Sequence, residues 1–128
     1  MPKFQKTERL CSRKLIDDLF QKGTVLNGGI IRILWMPLSE DNKPSAKILS
    51  VVPKKKIKLA VNRNLIKRRI REAYRNNKNI IYPVLLDKKL SIAVAINYSA
   101  NEIHAYDEIE HKIILTLNLL KTAIEKAH

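Results

Sequence analysis

The sequence predicts an α+β fold, a two-layer sandwich in the order α-β-β-α-β-α with a mostly antiparallel sheet, and three observations carry that prediction. Two segments repeat their apolar residues at three and four positions, as amphipathic helices do. Short apolar and β-branched runs are bounded by glycine, proline or polar clusters, as strands are. A chain of 128 residues with 45% hydrophobic content is the right size for one compact domain, 1–128, around one core.

Taken in order, Ser12 is placed to cap a short helix on which Leu15, Ile16, Leu19 and Phe20 follow one face, with Gly23 at the stop position. Asn27, Gly28 and Gly29 read as a turn feeding a strand from about Ile30 to Met36, which Pro37 ends. Beyond the polar loop LSEDNKPS, the run AKILSVV is a second strand closed by Pro53, and an antiparallel hairpin is the simplest pairing of the two. From about Leu59 the spacing turns helical, and a wheel at about 100° per residue gathers Ile66, Ile70, Ala73 and Tyr74 into one core-facing arc. A third strand, Leu90 to Ile96, is apolar or small on both faces and suits a central position. If the strands before and after the basic helix are parallel neighbours, that helix is the crossover of a βαβ unit. The tail from about Tyr106 to Lys126 is amphipathic, with Ile109, Ile113, Leu117, Leu120 and Ile124 on its apolar stripe.

Charge is the second layer of information. Twenty-five Lys and Arg against 12 Asp and Glu give a net +13 and a pI near 10.0, which points to a polyanionic partner, nucleic acid before anionic membrane. Residues 54–78 hold eleven of the cations and one acid, Glu72, whereas residues 99–128 come to −2. On the wheel Arg63, Lys67, Lys78, Arg71, Asn64, Arg75 and Arg68 follow one another around the arc beside the core face, so the charge has a direction. A solvated helix face ordinarily mixes signs that pair four residues apart, but here Glu72 alone offsets its neighbours, so a partner supplying negative charge explains the run better. Arginine dominates, and its guanidinium fork bridges phosphate oxygens and stacks on bases.

The start, MPKFQKTERLCSRK, has no apolar stretch of the kind an export signal carries, and no run reaches the length of a membrane span. A lone cysteine, Cys11, reads as a small, partly buried thiol in a reducing, cytoplasmic setting. Signs of protein-borne catalysis are sparse. The glycines Gly23, Gly28 and Gly29 do not form a phosphate-binding loop, and His104 and His111 lack a third ligand at metal-site spacing. The neighbouring acids Asp17-Asp18 and Asp107-Glu108 point about 100° apart on a helix and read as solvated faces. Phe20 and Trp35 are either core residues or platforms for unstacked bases.

The segment KLAVNRNLIKRRIREAYR resembles the signature of the bacterial ribonuclease P protein component, with Ala60, Val61, Arg63, Asn64, Lys67, Arg68, Arg71, Glu72, Tyr74 and Arg75 at matching positions without a gap. ERLCSRKLIDDLFQKG is similar to the family's amino-terminal pattern, and the resemblance spans nearly the whole chain in length and element order. Two positions depart from it: Leu65 stands in place of the motif's second arginine, and Ile16 stands where the family often has a phenylalanine. The RNA contact of that arginine is then absent or supplied by a neighbour such as Arg69, and stacking near the first helix falls to Phe20.

The resemblance implies that the βαβ crossover is left-handed, against the usual rule. It also implies an endoribonuclease in which an RNA subunit holds the Mg2+ ions and cleaves the 5′ leader from precursor tRNA, the protein itself carrying no catalytic residue and binding no cofactor alone. By it, Arg63, Asn64, Lys67, Arg68, Arg71 and Arg75 contact ribonuclease P RNA, with Lys54, Lys55 and Lys56 adding phosphate contacts. A cleft between the first helix and the sheet, with Phe20, Ile16 and Trp35, takes the single-stranded leader. The chain is expected as a monomer in the ribonucleoprotein, without membrane or DNA partners, and whether residues 1–10 are ordered before RNA binds stays open. A structured-RNA or ribosomal-RNA binding protein with no role in cleavage shares every compositional feature. A DNA-binding module lacks dimerisation heptads and a tight helix-turn-helix here, and a membrane-surface helix would need Ile66, Ile70 and Tyr74 exposed.

Overall fold

A computed structural model describes Leu10, residues 12–38 and residues 44–127; Cys11 and most of the polar loop after the first long strand lie outside the described residues. Helix α1, Arg13–Lys22, starts as its sequence predicts, with the Leu15 N–H donating to Ser12 Oγ at 3.3 Å, and it ends with the Gly23 N–H on Leu19 O at 2.8 Å. Then come β1 (Thr24–Asn27), β2 (Ile31–Leu38), β3 (Ser45–Val51) and the basic helix α2 (Ala60–Asn77). A 3-10 turn, Lys78–Ile80, leads into α3 (Tyr82–Lys88), β4 (Ser91–Tyr98) and α4 (Tyr106–Ala127).

The four strands form one open sheet in the order β1-β2-β4-β3, antiparallel except for the β3–β4 pair. The α+β class therefore holds, and the parallel pair makes α2 the crossover of a βαβ unit. The expected hairpin does not form, because β4 lies between β2 and β3. β4 is buried at every position but Asn97, and a strand covered on both faces belongs at the centre. β2 takes its second partner from β1, a four-residue strand too short to stand out from the turn before Gly28 in the sequence pattern.

Helix α3 is the other unforeseen element. Pro83 occupies its first turn, where no intrahelical N–H is needed, and Lys89 ends it in the left-handed conformation at φ 53°. Only Val84 and Leu85 are buried there, too few positions to make a periodic stripe.

Strand pairing sorts the side chains into two faces, since directly paired residues point the same way. Ile31, Ile33 and Trp35 of β2, Ala46 and Ile48 of β3, and Ile92, Val94, Ile96 and Tyr98 of β4 pack with α2, α3 and α4 in the main core. The predicted helix stripes meet them: Ile66, Ile70, Ala73 and Tyr74 of α2, and Ile109, Ile113, Leu117, Leu120 and Ile124 of α4, have no accessible surface. The other face carries Leu34, Met36 and Leu38, the alanines Ala93 and Ala95, and Leu49; α1 lies here, with Leu19 buried in a cluster with the two alanines and Leu10. Leucine on an alanine floor lets a helix approach a sheet closely. No helix among the described residues is long and apolar enough to cross a membrane.

Candidate nucleic-acid interface

The segment before α2 is a tight turn, with the Lys56 and Ile57 N–H groups donating to Pro53 O at 3.0 and 3.1 Å. Ile57 is buried and anchors it, which leaves Lys54, Lys55 and Lys56 exposed beside the start of the helix. α2 packs on β3 and α4, and α4 reaches β2 and β1. α4 therefore covers one flank of α2, and the cation arc predicted from the wheel lies on the other, along the edge of the sheet that β3 forms. On that flank Asn64 is exposed and Lys67 and Arg71 are half-buried, and Arg68 is exposed at its border.

Two of the expected contact residues, and Lys78 beside them, have intramolecular work as well. Arg63 Nη1 donates to Ile57 O at 3.1 Å and to Lys58 O at 2.7 Å, so it ties the lysine turn to the helix. Arg75 Nη2 is hydrogen bonded to Glu72 Oε1, and that bond is the main reason the Glu72 carboxyl lies below its ordinary pKa. Lys78, at the end of α2, sits 5.7 Å from the centre of the Tyr82 ring. Arg69 belongs to the opposite flank, where its Nη1 donates to His104 O at 2.6 Å and holds the loop that leads into α4.

The two flanks differ in kind. Beside α4 the surface is a hydrogen-bonded polar seam: Asn77 Nδ2 donates to Glu110 Oε2 at 3.0 Å, the Tyr106 hydroxyl donates to the same oxygen at 3.2 Å, and Asn76 Nδ2 donates to the Tyr106 hydroxyl at 3.1 Å. The far flank concentrates cationic side chains, the residue types suited to phosphate.

The second expected surface, around α1, is smaller than the sequence suggested. Phe20 is 46% exposed on α1, and Ile16 is half-buried against the alanine-floored side of the sheet. Trp35 is not with them. Its ring lies on the opposite face of the sheet, 4% exposed in the main core, because β2 alternates and Trp35 shares its parity with Ile31 and Ile33. From there it cannot stack on a base, and Trp35 is corrected to a core residue. Two further cations, absent from the sequence-based set, take its place on the α1 side: the Arg32–Asn97 and Lys47–Ala93 pairings put Arg32, exposed, and Lys47, half-buried, on that face. The alternation of IRILWM and SAKILS around them was the available signal. His104 and His111, considered above as a metal pair, lie by the amino-terminal end of α4, where His104 Nδ1 is 3.0 Å from Glu108 Oε2.

A cation-rich helix flank against a mostly antiparallel sheet makes the chain a small α+β protein with one surface suited to a polyanion. The ribonuclease P family profile matches residues 4–117, and the chain belongs to that family, the protein component of the ribonucleoprotein that processes tRNA. It is 31% identical over 105 residues to the ribonuclease P protein component of Porphyromonas gingivalis, covering 82% of this chain and 77% of that one. With the protein of the same description from Chlorobium phaeobacteroides it is 36% identical over 81 residues, covering 61% of this chain and 56% of that one. Among solved structures, the RNase P protein of Staphylococcus aureus superposes with a TM-score of 0.69 at 22% identity over 91% of this chain and 97% of that one. The Thermotoga maritima RNase P protein gives 0.69 at 22% over 88% and 96%, which establishes the shared fold.

Proposed function

We propose that this chain is the protein subunit of a ribonuclease P holoenzyme that removes the 5′ leader from precursor tRNA, with the chemistry carried by the RNA subunit. The observation that carries the reading is that the motif's Asn64, Lys67 and Arg71 share the flank of α2 that faces away from α4, with Arg68 exposed at its border, where a catalytic RNA has access to them together. Lys54, Lys55 and Lys56 extend that surface, and Arg63 and Arg75 add charge to it while holding the turn and Glu72. The single-stranded leader lies on the α1 side, with Phe20 as the stacking ring, Ile16 as apolar support, and Arg32 and Lys47 for its phosphates. β3 is the edge between these two surfaces, so the two RNAs approach each other around it.

Bringing two polyanions together needs neutralisation, and the protein's cations supply it by displacing condensed counterions. The divalent ion this reading calls for is Mg2+, held mainly by the RNA subunit. Among the described residues no group of three or more His, Cys, Asp or Glu is placed to hold a metal, and no step is assigned to a protein-bound ion. The protein enters as a monomer.

A reconstitution tests the proposal: protein, bacterial ribonuclease P RNA and a precursor tRNA with a labelled leader, at low magnesium and near-physiological salt, with each component omitted in turn. Cleavage at the mature 5′ end that needs protein and RNA together is the expected result. Binding of RNA without any promotion of cleavage would favour a structured-RNA or ribosomal-RNA binding protein instead.

A further inference from the structure

Leu65, Arg68, Arg69 and Glu72 recur at the three- and four-residue spacing of a single helical stripe, and with Tyr106 of α4 they line an open depression of about 270 Å³ on the seam between the two helices. This stripe adjoins the cation flank at Arg68, and the proposed function makes no use of the depression itself. Its walls are chemically distinct. Leu65 gives an apolar surface at the position where the family motif has an arginine, and Tyr106 gives an aromatic one, positioned by hydrogen bonds with Asn76 and Glu110. Arg69, held on His104 O, fixes the chain two residues before Tyr106, so the gap between the helices is set by a defined contact. Arg68 stands exposed at the rim.

The carboxylate decides the ligand. Glu72 Oε1 accepts from Arg75 and Asn76, whereas Oε2 makes no hydrogen bond among the described residues. The bond from Arg75 favours the ionised carboxyl, so Oε2 is a charged acceptor beside the apolar and aromatic walls of the depression. A planar ligand with adjacent N–H donors on one edge, carried on an anionic backbone, satisfies all of this at once. Guanine alone among the RNA bases offers a ring N–H beside an exocyclic amine on its pairing edge, which suits a carboxylate.

We propose that the depression between α2 and α4 receives one unstacked guanine of a single-stranded RNA segment, its ring against Leu65 and Tyr106, its pairing edge on Glu72, and its phosphate on Arg68. The inference rests on the RNA-binding reading above and adds to it a base-reading site at the border of the cation flank.

The test titrates the full chain, across a salt series, with three labelled RNAs that differ at one position: UUUGUUU, UUUAUUU and UUUUUUU. The guanine RNA is expected to bind roughly tenfold tighter than the adenine RNA, as a stacked and hydrogen-bonded base should. Glu72→Gln should reduce that ratio to near one. Leu65→Arg, which fills the depression, should do the same while steepening the salt dependence for all three RNAs, and Tyr106→Phe, which keeps the ring, should retain the ratio. Equal binding of the guanine and adenine RNAs by the unsubstituted chain, or a preference that survives both Glu72→Gln and Leu65→Arg, would overturn the proposal. Arg71→Glu, measured against ribonuclease P RNA, separates the two levels. If it weakens that binding while the guanine preference is absent, only the pocket fails; if it changes nothing, the RNA-binding reading on which the pocket rests fails too.

Discussion

Gly28 lies so close to Thr116 that a Cβ built on the glycine would stand 2.2 Å from the threonine's Cγ2. The turn between β1 and β2 is thereby pressed onto the middle of α4. Thr116 cannot easily turn its methyl aside, because its hydroxyl donates to Lys112 O and Ile113 O at 2.9 and 3.0 Å and the side chain is fully buried. Gly28→Ala should therefore destabilise the protein by about 1–3 kcal/mol. Thr116→Ser, which removes the obstructing methyl, should recover part of that loss in the double variant. Urea midpoints at unchanged m-values measure it, and additive effects of the two changes would show that the close approach is not the cause.

The aromatic residues on the two faces of the sheet should separate cleanly. Trp35→Ala empties a site in the main core and should cost about 3–5 kcal/mol, whatever RNA is present. Phe20→Ala, at 46% exposure, should change stability by less than about 0.5 kcal/mol. It should instead weaken binding of a single-stranded leader oligonucleotide by about 1–3 kcal/mol. A Phe20→Ala variant that unfolds early yet binds the leader normally would reverse the assignment.

Arg63 and Arg71 share a motif but not a role. Charge reversal at either should weaken binding of ribonuclease P RNA and flatten its salt dependence, the slope falling by about one for each phosphate no longer neutralised. Only Arg63→Glu should also lower stability, since the guanidinium holds the carbonyls of Ile57 and Lys58. The losses should total about 1–3 kcal/mol. Thermal denaturation without RNA distinguishes the two variants; equal melting temperatures for them would remove the structural role given to Arg63.

Acid should act through the Glu72–Arg75 pair. The bond from Arg75 lowers the Glu72 pKa from its ordinary 4.5, so on acidification the unfolded chain takes up a proton at this position before the folded one does. The pair's contribution is complete above the ordinary carboxylate range and is lost as pH falls through the lowered value. With the Glu72 side chain 46% exposed, solvent screening holds that contribution to roughly a few tenths of a kcal/mol. The unsubstituted chain should exceed Glu72→Gln by that margin at neutral pH and lose the margin at a pH below the lowered carboxylate value, as read from urea midpoints. A gap of the same size at both pH values would place the effect elsewhere.

Local chemistry was enough to read much of this protein. Ser12 and Gly23 delimited α1, the spacing of Ile66, Ile70, Ala73 and Tyr74 identified the buried stripe of α2, and the same periodicity placed the cations beside it. These are properties of one helix, set by 3.6 residues per turn and by where a side-chain oxygen or a glycine can end the ladder. The apolar character of β4 on both faces likewise announced a central strand, and the motif in α2 announced the family.

What the sequence did not decide were the relations between elements, which depend on competition among distant partners. β2 had two possible neighbours, and the choice of β1 and β4 over β3 followed from β4 needing cover on both sides. Trp35 could face either layer until its register with Val94 assigned it to the main core, and Arg32 and Lys47 reached the α1 side by the same alternation. Arg69 looked like one more cation of the run until His104 O claimed it, and the depression at Leu65 exists only because α4 returns beside α2 with Tyr106 at that height. A helix's own period tells which residues share a side, whereas what that side meets is settled by the packing of the whole chain.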